Sequence, residues 1–270
     1  MAHSDIYTQI DRYAYTNRLA KCSPITKAFF ALATLIVTVS AQSIVVPLLV
    51  FIITTSLILG YVKINAHFYL HLLGYPTLML ILSCIFIALF FGLGEPFIQL
   101  RLPWFTWTIF KDGINIAINT FFRVEGAISC LFFLVLTTSI TDLSLILRRI
   151  HVPTALVELS MLIYRYIFVF LDVAAQMATA QRLRLGKGGW MKQIRGLGLL
   201  AANLFIRTME QGERTFIAMS ARGYDGTIYV LEDIPKPNKA MLIGILLFEI
   251  LLVVAIFLTI NFGVTWSYAV

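Results

Sequence analysis

The stretch PTALVELSMLIYRYIFVFLDVAAQMATAQRLRLGKGGWMKQIRGLGLLAANLFIRTMEQGERTFIAMSARG, from Pro153 to Gly223, decides how the rest of the chain is read. Its periodicity predicts two long helices, Thr154 to Leu185 and Trp190 to Arg222, parted by the breaker Gly186-Lys187-Gly188-Gly189. At 1.5 Å per residue each helix reaches about 50 Å, too long for a compact soluble domain. Glu158, Arg165, Asp172, Gln176, Thr179 and Arg182 form one polar stripe on the first helix, a pattern that argues against a simple membrane span. Each helix closes on an arginine beside glycine, in Arg184-Leu185-Gly186 and in Ser220-Ala221-Arg222-Gly223. The remainder of the chain reads as membrane anchor for this pair.

That reading rests on composition. Of 270 residues 59% are hydrophobic and 13% charged, with a mean hydropathy of +0.86, the profile of a polytopic membrane protein. The net charge of +7 sits beside apolar spans, where it sets orientation, so nucleic acid is not an expected partner. The first 27 residues carry mixed charges and no short basic region leading into an apolar one, so no cleavable signal is expected. Cys22, Cys84 and Cys130 lie far apart and read as reduced, buried small residues.

Ala28 to Val62 contains no charge and is too long for one span of about 20 residues. The break Ser40-Ala41-Gln42-Ser43 with Pro47 divides it into two short spans. Further spans are expected near Leu72 to Gly94, Gly113 to Ile140 and Lys239 to Phe262. The chain thus reads as all-α: residues 1–141 with four spans, 142–238 with the helix pair, and 239–270 with a fifth span. Eighteen of the 21 Lys and Arg fall on the side of the N-terminus and the pair, which places both in the cytoplasm and the C-terminus outside the plasma membrane. The external loop Glu95 to Lys111, dense in Trp and Phe, reads as an interfacial anchor. Asp142 reads as the N-cap of a short helix Leu143 to Ile150.

Small residues predict where the long helices cross: Ala174 and Ala178 on the first, Gly198 and Ala202 on the second. Arg123 and Glu125 lie near the outer end of a span, where snorkelling accounts for them, and Glu249 lies deeper, with Arg123 a conceivable partner. His3 near the N-terminus, and His67 with His71, have ligand-like placements, but solvated surface roles account for them and no metal site is expected in this chain.

The chain carries no GxxxxGK[ST] phosphate loop, no HExxH, no GxSxG and no Asp-rich magnesium motif, so neither a catalytic residue nor a cofactor is expected. An arginine in a helix's last turn ordinarily compensates the helix dipole, worth only ~0.3–1 kcal/mol. Two such ends, each beside glycine, make partner docking a competing reading.

Six segments carry a resemblance: Tyr15-Thr16-Asn17-Arg18-Leu19, Thr137-Thr138 with Asp142-Leu143, Val152-Pro153, Tyr164-Arg165-Tyr166, Ala180 to Gly186, and Ala218 to Gly226. In these the chain resembles CbiQ, the transmembrane T component of cobalt-type energy-coupling-factor (ECF) transporters. The resemblance implies a coupling component, not an enzyme. It implies docking of two coupling-helix ends on a pair of cytoplasmic ATPases, and a membrane substrate-capture S component as further partner. Carried onto this sequence, one docking element is Ala221, Arg222 and Gly223, and the other is Arg184 with Gly186, Arg182 being the alternative. The cargo so implied is a transition-metal ion, cobalt, with nickel or a vitamin as alternatives. A lipid-modifying membrane enzyme is the reading from another class.

Overall fold

The computed structural model describes residues 12–91, 96–102, 105–185, 189–226 and 238–261. These fall into two compact units, one built from residues up to 139 together with the last helix, the other from 140 to 226.

The first unit is the membrane anchor. After a helical turn at 12–16 and a 3-10 turn Arg18–Lys21, α1 spans Pro24–Ser40, with Pro24 in its first turn where a missing N–H costs nothing. The 35-residue uncharged run breaks at Ala41, as its polar residues predict, and α2 follows over Val45–Ser56, continuing as a π-turn over Leu57–Tyr61. Both helices are short for a bilayer, as expected. Next come α3 (Ala66–Phe90), α4 (Lys111–Thr137) and, at the far end of the sequence, α8 (Lys239–Asn261), each long and apolar enough to cross a membrane. α4 is the central helix: α1, α2 and α3 all pack on it, while α8 rests on α1 and α2.

Close packing around α4 depends on Gly126. A Cβ there would stand 2.9 Å from both the Pro47 carbonyl oxygen and Thr38 Cγ2, so only glycine lets α1 and α2 approach this near. Several polar side chains of the unit find partners within it. Arg123 donates to the Ala41 carbonyl and Asn119 Nδ2 to that of Gln42 at 2.9 Å, so α4 braces the turn between α1 and α2. This corrects the snorkelling expectation for Arg123. Glu125, 5% exposed, accepts from Thr77 at 3.0 Å, and Glu249 from Thr34 at 2.6 Å. Arg123 and Glu249 therefore have different partners, and the conceivable pair between them does not form. The outward faces of α3 and α8, with Leu78, Leu82, Phe86, Leu247, Leu251 and Phe257 exposed, suit lipid.

Between α3 and α4 lies a β-hairpin, β1 (Pro96–Leu102) and β2 (Phe105–Phe110), antiparallel with Gln99 opposite Thr108 and Leu100 opposite Trp107. The aromatic stretch read as an interfacial anchor thus forms a hairpin, the one departure from all-α among the described residues. Two runs rich in Phe, Ile, Thr and Trp with a two-residue connection are a strand signal that aromatic density alone obscures.

The second unit comprises α5 (Ile140–Arg149), α6 (Thr154–Leu185) and α7 (Trp190–Ala221), with α5 packed on α6 and α6 on α7. α5 begins earlier than expected, so Asp142 is not its N-cap but lies in its first turn, where its charge favours the helix dipole. It closes through His151, at φ 65, with His151 N–H bonding the Arg148 carbonyl and Val152 N–H that of Leu147. The two long helices form as their periodicity predicts, α7 ending one residue earlier. One expectation changes: Thr154–Leu183 is itself long and apolar enough to cross a membrane. Its charges are confined to one stripe, which leaves the average hydropathy of the remaining circumference high.

Candidate functional site

The end of α7 explains why the sequence reads Ala-Arg-Gly there. The last four carbonyls of a helix have no partner within it, and a left-handed residue just beyond lets the chain fold back onto them. Gly223 is that residue, at φ 82. Its N–H bonds the Ser220 carbonyl at 3.1 Å, and the Tyr224 N–H bonds that of Met219 at 3.1 Å. For a side chain with a Cβ this conformation costs about 1–2 kcal/mol, which accounts for the glycine. Arg222 occupies the capping position itself, its side chain exposed. A guanidinium with five donors therefore stands on a closed, well-defined helix end.

A second bond anchors that end. Tyr224 donates its hydroxyl to Glu158 Oε2 of α6 at 3.3 Å, and Glu158 is 8% exposed. Desolvation, then the neighbouring Glu158 carboxylate, push the Tyr224 phenol above its ordinary value, so it remains a donor at neutral pH. Sequence reasoning placed Glu158 in the polar stripe and overlooked this link. The signal was available: Glu158 is the one acidic residue in the first four turns of α6.

The helices are antiparallel, and side chains join them at several levels. Besides Glu158 with Tyr224, the Tyr166 hydroxyl meets Thr215 Oγ1 at 2.6 Å, and Gln181 lies over Gly196. On α7 the half-buried residues are Gly196, Leu200, Leu204, Thr208, Gln211, Thr215 and Met219, stepping by three or four along one face. On α6, Ala174 and Ala178 are half-buried. The expected contacts at Gly198 and Ala202 are not made: a Cβ at Gly198 would meet nothing within 4 Å, and Ala202 is exposed. Each sits two residues from the seam, about 200° around the helix from it. The glycine that faces α6 is Gly196 instead, where a Cβ would stand 3.9 Å from Gln181 Oε1. Between the helices runs a groove of about 330 Å³ whose lining includes Met177, Gln181, Leu200 and Arg207.

Only part of the other expected helix end falls within the described residues. α6 runs to Leu185, which puts Arg184 in its last turn, and Arg182 is exposed one residue after the half-buried Gln181. Gly186 lies outside the described residues. Among the described residues no three His, Cys, Asp or Glu side chains come together as a metal site, and His67 and His71 are both exposed on α3.

The family model described as CbiQ, cobalt transport protein, matches residues 16–233. An uncharacterized protein of Methanocaldococcus jannaschii is 37% identical over 256 residues, 95% of each chain. A putative fused cobalt transport protein CbiMQ of Methanocorpusculum labreanum is 34% identical over 83% of this chain, which spans only 38% of that longer relative. The cobalt transport protein CbiQ of Rhodobacter capsulatus is 35% identical over 39% of this chain and 43% of its own. The matched region takes in part of the membrane unit, both long helices and the Ala-Arg-Gly end, and the chain belongs to the CbiQ cobalt transport protein family.

Proposed function

We propose that this chain is the transmembrane coupling component of an ECF-type importer, passing the stroke of two partner ATPases to a membrane substrate-capture protein that takes up a transition-metal ion, cobalt. The observation that carries the reading is the end of α7, where an exposed Arg222 stands on a helix closed by Gly223 and tied to α6 through Tyr224 and Glu158. A docking point that transmits force must be stiff, and the closed helix end and the Tyr224–Glu158 bond support that here. Arg222, with Ala221 and Gly223, enters a groove on one ATPase; Arg184, with Gly186, does the same on the other. A guanidinium recognises carboxylates or backbone carbonyls through several directed bonds, and glycine permits close entry.

The metal is cargo here, and the names of the relatives support cobalt. The fused relative, much longer than this chain, supports a membrane partner held close to it. In this reading the N-terminus and the α6–α7 pair face the cytoplasm, and the C-terminus lies outside, following the distribution of Lys and Arg. Five helices, α1 to α4 and α8, span the bilayer, and the polar stripe of α6 argues against a further span there.

The test is co-purification with the ATPases. Arg222→Ala weakens their retention by more than about tenfold, because the surviving partner group is left buried and unpaired. Arg222→Lys recovers only part, since an ammonium lacks the planar fork. Arg214→Ala removes an equal charge from the same helix, paired only with exposed Glu210 at 3.1 Å, and leaves retention unchanged. Equal losses for Arg222→Ala and Arg214→Ala would show a diffuse basic surface and refute the docking assignment.

A further inference from the structure

The C-terminal end of α4 is held in an unusual way. The Thr138 N–H bonds back to the Leu134 carbonyl at 2.9 Å, which leaves the carbonyls of Leu136 and Thr137 to be satisfied from elsewhere. Lys27 Nζ donates to the Thr137 carbonyl at 2.7 Å. Asn17 Nδ2 donates to the carbonyls of Tyr13 at 3.0 Å and Ala14 at 2.9 Å, and lies 3.3 and 3.4 Å from those of Leu136 and Thr137. Both side chains are buried: Lys27 is 2% exposed and Asn17 8%.

Lys27 is out of place by the ordinary rules. It lies in the first turn of α1, where a positive charge opposes its own helix dipole, and a lysine at a helix end normally carries its ammonium out to water. Instead it gives up hydration to sit on the negative end of α4. Burying a cation is costly, and its return is a fixed geometry more than net stability. The geometry it fixes is a specific one. Thr137 ends α4, and two residues later the chain leaves the membrane unit for α5–α7.

We propose that Asn17 and Lys27 form a positioning clasp on the last carbonyls of α4, required for α5–α7 to pass the ATPase stroke to the membrane unit. The clasp rests on the coupling function proposed above and touches neither cargo nor nucleotide. With it closed, displacement of α5 pulls on α4, the helix against which α1, α2 and α3 pack. With it open, residues 138–139 absorb the displacement.

Two measurements test the clasp. In proteoliposomes holding the whole complex, Lys27→Met leaves assembly and ATP hydrolysis at the wild-type level, while cobalt taken up per ATP falls about tenfold. Lys27→Arg, which keeps a donor, restores most of it. In the second, Thr138→Cys is introduced where Cys22, Cys84 and Cys130 have been replaced, and an aqueous thiol reagent is applied to the purified chain. Thr138 is 7% exposed, so labelling is slow, and Lys27→Met speeds it about tenfold. Unchanged cobalt per ATP, or uptake and hydrolysis lost in equal proportion, or unchanged labelling, would overturn the clasp. Should Lys27→Met fail to accumulate in the membrane, Asn17→Leu removes the other donor and is held to the same outcomes. A wild-type chain that assembles with no ATPase would refute the proposed function, while the labelling still decides whether the clasp holds α4.

Discussion

Gly126→Ala puts the packing of the membrane unit to a quantitative test. The added methyl would stand 2.9 Å from the Pro47 carbonyl oxygen and 2.9 Å from Thr38 Cγ2, closer than real Cβ contacts come, and one of the two neighbours is backbone. Relief requires α4 to move away from α1 and α2 by several tenths of an ångström, and overpacking of this kind costs about 1–3 kcal/mol. For a chain of this size each kcal/mol lowers the melting temperature by about 2–4 °C, so the variant should melt roughly 2–12 °C below wild type in detergent. Combining it with Thr38→Ser removes Cγ2 while keeping the hydroxyl that bonds the Thr34 carbonyl at 2.6 Å, and should recover part of the loss. Full recovery is not expected, because the Pro47 carbonyl stays in place. Gly244→Ala is the matched contrast: nothing lies within 4 Å of its Cβ position in α8, so alanine should be neutral or raise the melting temperature. Equal melting temperatures for Gly126→Ala, Gly244→Ala and wild type would refute the helix packing described here.

Three further outcomes are expected. With single cysteines at Lys187→Cys and Ser267→Cys in a cysteine-free background, impermeant reagents should label the first only from the cytoplasm and the second only from outside; labelling of both from one side refutes the five-span topology. Gly223→Val should loosen the end of α7, where φ is 82, and reduce ATPase retention severalfold, while Gly223→Asn, more tolerant of that conformation, should stay near wild type; identical behaviour of the two would show that the helix cap does not matter for docking. His3→Ala should leave cobalt uptake by the assembled complex unchanged, since the proposed function assigns capture to a partner; loss of most uptake at normal expression would place a metal ligand at the N-terminus.

The two long helices, the break near Ala41 and the end of α7 were legible in the sequence because each rests on a local rule: helical periodicity, a polar interruption in an apolar run, a glycine where a left-handed residue closes a helix. What escaped was set by tertiary register. Which small residues of α7 meet α6 depends on a rotation of the helix that spacing does not determine, so Gly196 faces Gln181 while Gly198 faces open space. The α4 carbonyls that Lys27 and Asn17 reach are more than a hundred residues away, and no pattern of residue types advertises a backbone carbonyl. Glu158 and Tyr224 are 66 residues apart, on a helix and in the turn after the next one, and neither identity alone predicts the bond.

In the proposed function, this chain couples ATP hydrolysis by partner subunits to metal uptake through Arg222. The direct measurement is uptake of radiolabelled cobalt into proteoliposomes holding this chain, the two ATPases and the substrate-capture protein, with and without ATP. Uptake should require ATP and every component. Arg222→Ala should reduce it by more than about tenfold, where Arg214→Ala leaves it intact. Uptake that proceeds without the ATPases, or that survives Arg222→Ala as well as Arg214→Ala, would contradict the account.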